Sequence, residues 1–171
     1  MSIESQNYTA RKATLDDIPA LKEITNHDES RRLSAEGRFY HPENCMMVVE
    51  KGSWMIGSVF VLFARPPGWD NADDTSQLPQ IISLVVKGEF RNQGAGTFLI
   101  GAVEDEVKSR GLKHVYLAVD KDDPGARRLY DRLGFVVISN EPYKSTWTYK
   151  DSDGVEHEEF AMVIDMVKQL S

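Results

Sequence analysis

Apolar positions along the chain fall into runs of strand character and stripes of helical spacing, and their order outlines a fold. Tyr8 to Ala13 alternates as a strand does. Thr14 then opens a helix as its N-cap, with Asp17 three residues on as in a capping box and Ile18, Leu21 and Ile24 as the apolar stripe. A polar helical stretch with Leu33, Ala35 and Phe39 covers Asn26 to Tyr40. Cys45 to Glu50 and Trp54 to Ala64 are apolar and β-branched, and the intervening Lys51-Gly52-Ser53 makes them a hairpin. Arg65 to Pro79 is the longest stretch without period, rich in Pro, Gly, Asp and Asn.

Ile81 to Val86 is apolar on both faces, as a buried strand is. Gly94-Ala95-Gly96 opens a helix whose Phe98, Leu99, Ala102, Val103 and Val107 share one stripe before the stop at Gly111. Val115 to Val119 reads as another buried strand, followed by a helix with Asp123 as N-cap, Pro124 at its first position and Gly134 as its end. Ala126, Leu129, Tyr130 and Leu133 form that helix's stripe. Phe135 to Ile138, Ser145 to Lys150 and Val155 to Phe160 continue as strands, the last two joined by Asp151 to Gly154, and an apolar stretch from Phe160 to Val167 closes the sheet. This order gives a mixed α/β (α+β) fold, a sheet flanked by helices.

The junction of Ile81–Leu99 carries the chemistry. A helix leaves its first N–H groups unpaired and holds a partial positive charge there, and glycines let an anion approach them closely. A third glycine three residues after Gly96, needed for a dinucleotide fold, is replaced by Leu99, and the Gly-Lys-Ser/Thr of a P-loop is absent. What stands there, Arg91-Asn92-Gln93-Gly94-Ala95-Gly96, resembles the Arg/Gln-x-x-Gly-x-Gly/Ala loop of the GNAT superfamily of N-acetyltransferases. Leu84-Val85-Val86 stands where that family carries a Leu-x-Val strand end. A second block, Asp123 to Phe135, is similar to the family's Asn-x-x-Ala-x-x-x-Tyr-x-x-x-Gly-Phe signature, with Asp123 where Asn is usual.

The resemblance covers residues 6–167 as a single domain and implies a mixed, mostly antiparallel central sheet flanked by helices. It implies that acetyl-CoA is the co-substrate, held by Leu84, Val85 and Val86 along the pantetheine, by Arg91, Asn92, Gln93, Gly94, Ala95, Gly96 and Thr97 at the pyrophosphate, and by Asp123 and Ala126. It implies Tyr130 as the catalytic side chain that gives a proton to the departing thiolate, since a phenol with pKa ~10 is protonated at neutral pH. Some members use a glutamate near the start of the central strand as base; Gln80 stands at that position and does not titrate. Glu50, Asp73, Asp74 and His114 are the remaining candidates.

Composition narrows the partners. The chain has 171 residues, of which 41% are hydrophobic, enough for one sizeable core. A net charge of −7 argues against nucleic acid and is compatible with a cationic acceptor. Lys87, Arg91, Lys121, Arg127, Arg128 and Arg132 reverse that balance around the cofactor motifs. No apolar run approaches the ~20 residues that span a bilayer, so no membrane partner is expected. The single Cys45, expected in a buried strand, excludes an internal disulfide framework and fits a reducing cytoplasm. His27, His41 and His157 lack metal-ligand spacing, so no metal is expected.

The leading reading is an acetyl-CoA-dependent N-acetyltransferase acting by direct attack of a primary amine, of a small molecule or a peptide, in a ternary complex. The alternative is a non-catalytic acyl-CoA-binding module of the same fold. By exclusion, the acceptor falls to Asn26–Tyr40, to the Arg65–Pro79 loop with Trp69, Asp70, Asp73 and Asp74, and to the hairpin around Trp147–Gly154. The oligomeric state stays open, a homodimer included.

Overall fold

The computed structural model of the protein describes residues 7–24, 43–64, 78–151 and 153–171. In chain order the elements are β1 (Tyr8–Lys12), α1 (Ile18–Ile24), β2 (Cys45–Lys51), β3 (Trp54–Leu62), β4 (Gln80–Val86), α2 (Ala95–Ser109), β5 (His114–Asp120), α3 (Pro124–Arg132), β6 (Val136–Val137), β7 (Tyr143–Lys150) and β8 (Glu156–Gln169). They form an eight-stranded sheet in the order β1-β2-β3-β4-β5-β8-β6, with β7 also paired to β8. The pairs are antiparallel except β4 with β5. The expected mixed, mostly antiparallel sheet is therefore observed.

Each sheet face has its own core. Ala95, Leu99, Ile100, Val103 and Val107 of α2 pack with Val49, Ile56, Ile81, Leu117 and Met166 on one face. Leu21 and Ile24 of α1 pack with Val48, Phe60 and Leu62 on the other. β3 is buried from Met55 to Leu62 because both faces are covered, which is why it reads as a largely apolar stretch.

Several local expectations change. The buried stripe of α2 is rotated toward Ile100, so Phe98 lies on its flank, 42% exposed, with its ring 5.7 Å from that of Tyr8. The start at Thr14 holds, with both capping-box bonds, but the first turn Leu15–Asp17 is 3-10 before α1 begins. Val155–Phe160 and Phe160–Val167 are one strand, β8, because its two halves exchange partners without a break: β7 borders the first half, β5 and β6 the second. The change from Glu-rich to Val/Ile/Met-rich sequence marks a change of burial along that strand. Phe135–Ile138 supplies only the short β6. Cys45 is half-buried, and its thiol pKa is raised chiefly by desolvation.

Candidate active site

β4 and β5 are paired only at Gln80–Tyr116 and Ile81–Leu117, and beyond that level they part. The cause is local. Ser83 has φ 55°, and its strand carries one extra residue there: Ser58 and Phe60 of β3 stand opposite Val85 and Ile82. Such a bulge bends a strand and re-aims the side chains that follow. Leu84 and Val86 consequently pack toward the α2 face while Val85 packs toward the α1 face. Gly57 permits the arrangement, since a Cβ there would stand 2.8 Å from the carbonyl oxygen of Val85. Neither Ser83 nor Gly57 was singled out by sequence; a lone glycine inside an apolar strand is the only signal.

Below the parted strands a groove of about 680 Å³ opens between β4, the glycine turn and α3. Among its lining residues are Leu84, Val85, Val86, Arg91, Asn92, Gly94, Gly96, Thr97, Asp123, Ala126 and Tyr130, eleven of the thirteen expected positions. Gln93 and Ala95 do not line it with side chains. The Gln93 side-chain Nε2 donates to Glu89 O at 2.8 Å, and the Gln93 main-chain carbonyl accepts from Tyr8 Oη at 2.9 Å. The Ala95 methyl is 1% exposed in the core. Both side chains therefore shape the loop rather than line the groove.

Gly94 is the N-cap of α2 at φ 88°, with no side chain capping the helix. Phe98 N donates the first bond back to Gly94 O, at 2.9 Å, so the N–H groups before it have no partner within the helix. This end is built for an anion. Arg128 and Arg132 of α3 and Arg91 also line the groove. Of the other basic residues, Arg127 is held by Asp131 at 3.1 Å, Lys121 by Asp122 at 2.8 Å, and Lys87 faces a different depression. Phosphate groups and an apolar chain beside Leu84, Leu129 and Phe90 fit this donor set, so acetyl-CoA suits the residues present.

Asp123 caps α3 as expected, its Oδ1 accepting from Ala126 N at 2.9 Å. Tyr130 is 8% exposed, with its ring edge-on to Phe135 at 5.7 Å. Burial, with a smaller contribution from the negative Asp123, pushes its phenol up to about 12. Among the described residues its hydroxyl has no hydrogen-bond partner, and it lies on the groove wall.

On the opposite side of β4 a shallower depression of about 400 Å³ is lined by Glu23, Ile24, Val85, Val86, Lys87, Gly88, Glu89 and Arg91. The two hollows share Val85, Val86 and Arg91. Of the sequence candidates for a base, the described ones, Glu50 and His114, are not there. Gln80 is in the closed, paired part of β4. Glu50 is ion-paired with Arg11 at 2.9 Å. His114 begins β5, at the end opposite to the parting, where it pairs with Gln169. Asp73 and Asp74, like the rest of 65–77 and 26–40, lie outside the described residues. Glu23 was missed, because one polar residue in a helix gives no signal until the fold places it. Among the described residues no group of three or more His, Cys, Asp or Glu could hold a metal, and no helix is long and apolar enough to cross a membrane.

Comparison with known proteins bears out the fold. The fold is similar to that of yncA, a putative acetyltransferase of Salmonella typhimurium solved with acetyl-CoA: TM-score 0.67 and 21% identity, covering 96% of this chain and 94% of that one. It is also similar to the ribosomal-protein-S18-alanine N-acetyltransferase of Escherichia coli, at TM-score 0.64 and 20% identity with the same coverage. By sequence, the chain is 36% identical over 62 residues to the N-acetyltransferase YobR of Bacillus subtilis, covering 36% of this chain and 25% of that protein. It is 38% identical over 55 residues to N-alpha-acetyltransferase 30 of Schizosaccharomyces pombe, covering 32% of this chain and 37% of that protein. The chain thus spans well under two thirds of either relative's own length. Residues 11–135 match the acetyltransferase (GNAT) family. Because that match runs from β1 to the end of the Tyr130 helix and takes in both glycine-bearing motifs, the chain belongs to the GNAT family of acetyltransferases.

Proposed function

We propose that the protein is an acetyl-CoA-dependent N-acetyltransferase that moves an acetyl group to a primary amine of a small molecule or peptide by direct attack in a ternary complex. The observation that carries this reading is the pair of hollows meeting at Val85 and Val86 from opposite sides of β4. Two substrates held one on each side need no covalent enzyme intermediate, and their orientation supplies ~7 kcal/mol or more of the barrier.

Acetyl-CoA supplies the acetyl group in activated form, as a thioester. The α2 N-terminus and Arg91 bind the pyrophosphate, and Arg128 and Arg132 are placed for the remaining phosphate charge. Leu84 and Val86 cover the pantetheine, and the backbone of the parted strand offers donors that sheet pairing no longer occupies. Tyr130 keeps its proton across the working range, because its pKa is about 12. Complete transfer to a thiolate whose acid lies near ~8.5 is uphill by ~5 kcal/mol. Tyr130 Oη therefore stabilises the developing charge on sulfur as a hydrogen-bond donor, and water completes the protonation.

An N-alpha-acetyltransferase and an S18-alanine N-acetyltransferase among the similar proteins make peptide amino termini natural acceptors to test. A single cysteine without a partner suits a cytoplasmic protein. The test is release of free thiol from acetyl-CoA with a panel of polyamines, lysine and free-amino peptides. Amine-dependent release supports the reading; CoA binding without release by any amine identifies the non-catalytic module instead.

A further inference from the structure

We infer that Tyr8, on the outermost strand of the sheet, is a positioning residue for the CoA pyrophosphate: its hydroxyl holds the Gln93 peptide so that the N–H groups of the glycine turn face the groove. This rests on the acetyl-CoA reading above. Tyr8 Oη donates to the Gln93 main-chain carbonyl at 2.9 Å, across 85 positions of the chain. Its ring packs on Phe98 with centroids 5.7 Å apart and planes inclined by 51°. β1 thus grips the start of α2 twice, by an apolar contact on the helix flank and by one polar bond at the loop.

The identity of the bonded carbonyl gives Tyr8 its role. In a helix begun one residue earlier, Gln93 O would accept from Thr97 N, four residues on. Tyr8 takes that oxygen instead, and helical bonding starts with Phe98 N donating to Gly94 O at 2.9 Å. Among the described residues the N–H groups of Gly94, Ala95, Gly96 and Thr97 accordingly have no hydrogen-bond partner. The Gln93–Gly94 peptide is trans, so its N–H points opposite to its carbonyl. β1 touches α2 from one end of the sheet, whereas α3 lies on β5, beyond β4. Tyr8 therefore draws the carbonyl to the side of α2 away from the groove, and the Gly94 N–H turns toward the groove that Gly94 lines.

The turn needs such a brace. Asn92 and Gly94 stand at φ 58° and 88° with Gln93 at negative φ between them, an alternation that makes successive N–H groups converge on an anion. A non-glycine residue in the left-handed region is strained and persists only where its surroundings hold it. Arg91 Nε donates to Val86 O at 3.0 Å and Gln93 Nε2 to Glu89 O at 2.8 Å, which ties the loop to the segment just before it. Tyr8 ties the same loop to a strand remote in sequence. Without the hydroxyl the Gln93 peptide is free to rotate, the N–H array is complete in only a fraction of the molecules, and apparent CoA affinity falls by that fraction.

The experiment measures CoA affinity by calorimetry and melting of the free protein for the unaltered chain, Tyr8→Phe and Arg11→Ala. Tyr8→Phe keeps the ring on Phe98 and deletes only the hydroxyl. Arg11→Ala loosens the same strand at its ion pairs with Asp17 and Glu50, away from the loop. The expected result for Tyr8→Phe is a Kd for CoA raised ~5- to 10-fold with Tm within ~2 °C of the unaltered protein. Arg11→Ala should melt lower than Tyr8→Phe and still bind CoA within ~2-fold of the unaltered protein. In thiol release the Tyr8→Phe defect should fall on KM for acetyl-CoA and leave kcat nearly unchanged, since a positioned anion is bound alike in ground and transition states. Equal CoA affinity in Tyr8→Phe and the unaltered protein, or equal weakening in both variants, overturns the role of Tyr8 and leaves a structural contact. An unaltered protein that binds no CoA overturns the acetyl-CoA reading, and the role of Tyr8 with it.

Discussion

Arg91 Nε donates to the carbonyl oxygen of Val86 at 3.0 Å, tying the start of the glycine turn to the last residue of β4. One planar group thus fixes both the strand end and the loop that the proposed complex would set against the pantetheine and the pyrophosphate, and Arg91 itself lines the groove. A lysine preserves the charge but loses the fixed geometry. Arg91→Ala is expected to weaken CoA binding ~10- to 100-fold, with Arg91→Lys between the two, as measured by calorimetry. Equal affinity in all three proteins contradicts the clamp.

Gly94 and Gly96 separate strain from obstruction. Gly94 adopts φ 88° with open space around its Cβ position, so Gly94→Ala strains the backbone without a collision. It should cost about 1 kcal/mol or more of stability and lower Tm by ~2–4 °C. A Cβ on Gly96 meets only Leu129 at 3.8 Å and Val86 at 4.0 Å, ordinary contacts, so Gly96→Val keeps the fold but projects into the groove. Melting and calorimetry together check this: Gly96→Val should melt within a few degrees of the unaltered protein and lose most CoA affinity. Intact affinity removes the turn from the binding site.

Tyr130→Phe deletes one hydroxyl and little packing. It should reduce kcat ~10²-fold and leave CoA affinity nearly intact, since a donor to developing charge acts mainly in the transition state. The same residue gives a signature in alkali. Its pKa is raised from 10.0 to about 12 in the folded protein. The associated stability is complete below pH 10 and is lost as pH rises through 12, by roughly 2–3 kcal/mol. Denaturant titrations between pH 9 and 12 should show that loss in the unaltered protein and not in Tyr130→Phe.

The opposite sign applies at the N-terminal edge. Asp17 accepts both terminal nitrogens of Arg11, at 2.8 and 2.9 Å, and its carboxyl is lowered from 3.8 to about 2 chiefly by that pair. Its contribution is present above pH 4 and lost as pH falls through 2. Arg11 is 41% exposed, so solvent screening limits the effect to ~1–2 kcal/mol. Asp17→Asn should be less stable at pH 7 by that amount, and the difference should vanish in acid unfolding near pH 2.

What the sequence disclosed and what it hid follow one physical division. The glycine turn, the Asp123 cap and the Tyr130 stripe depend on local chemistry, φ above zero or an unpaired N–H, so neighbouring residues declare them. Ser83 and Gly57 owe their meaning to a strand far away in sequence, and nothing local announces a bulge at a serine. His114 illustrates the converse: a titratable residue near a motif in sequence sits at the wrong end of β5, because a parallel strand begins where its neighbour's site is not.

The most direct test is the structure of the complex with acetyl-CoA. The account predicts pyrophosphate oxygens at ~3 Å from the backbone N–H groups of Ala95 and Gly96, with the sulfur within hydrogen-bond reach of Tyr130 Oη between β4 and β5. A cofactor bound outside the groove between α2 and α3, or a sulfur turned away from Tyr130, would contradict it.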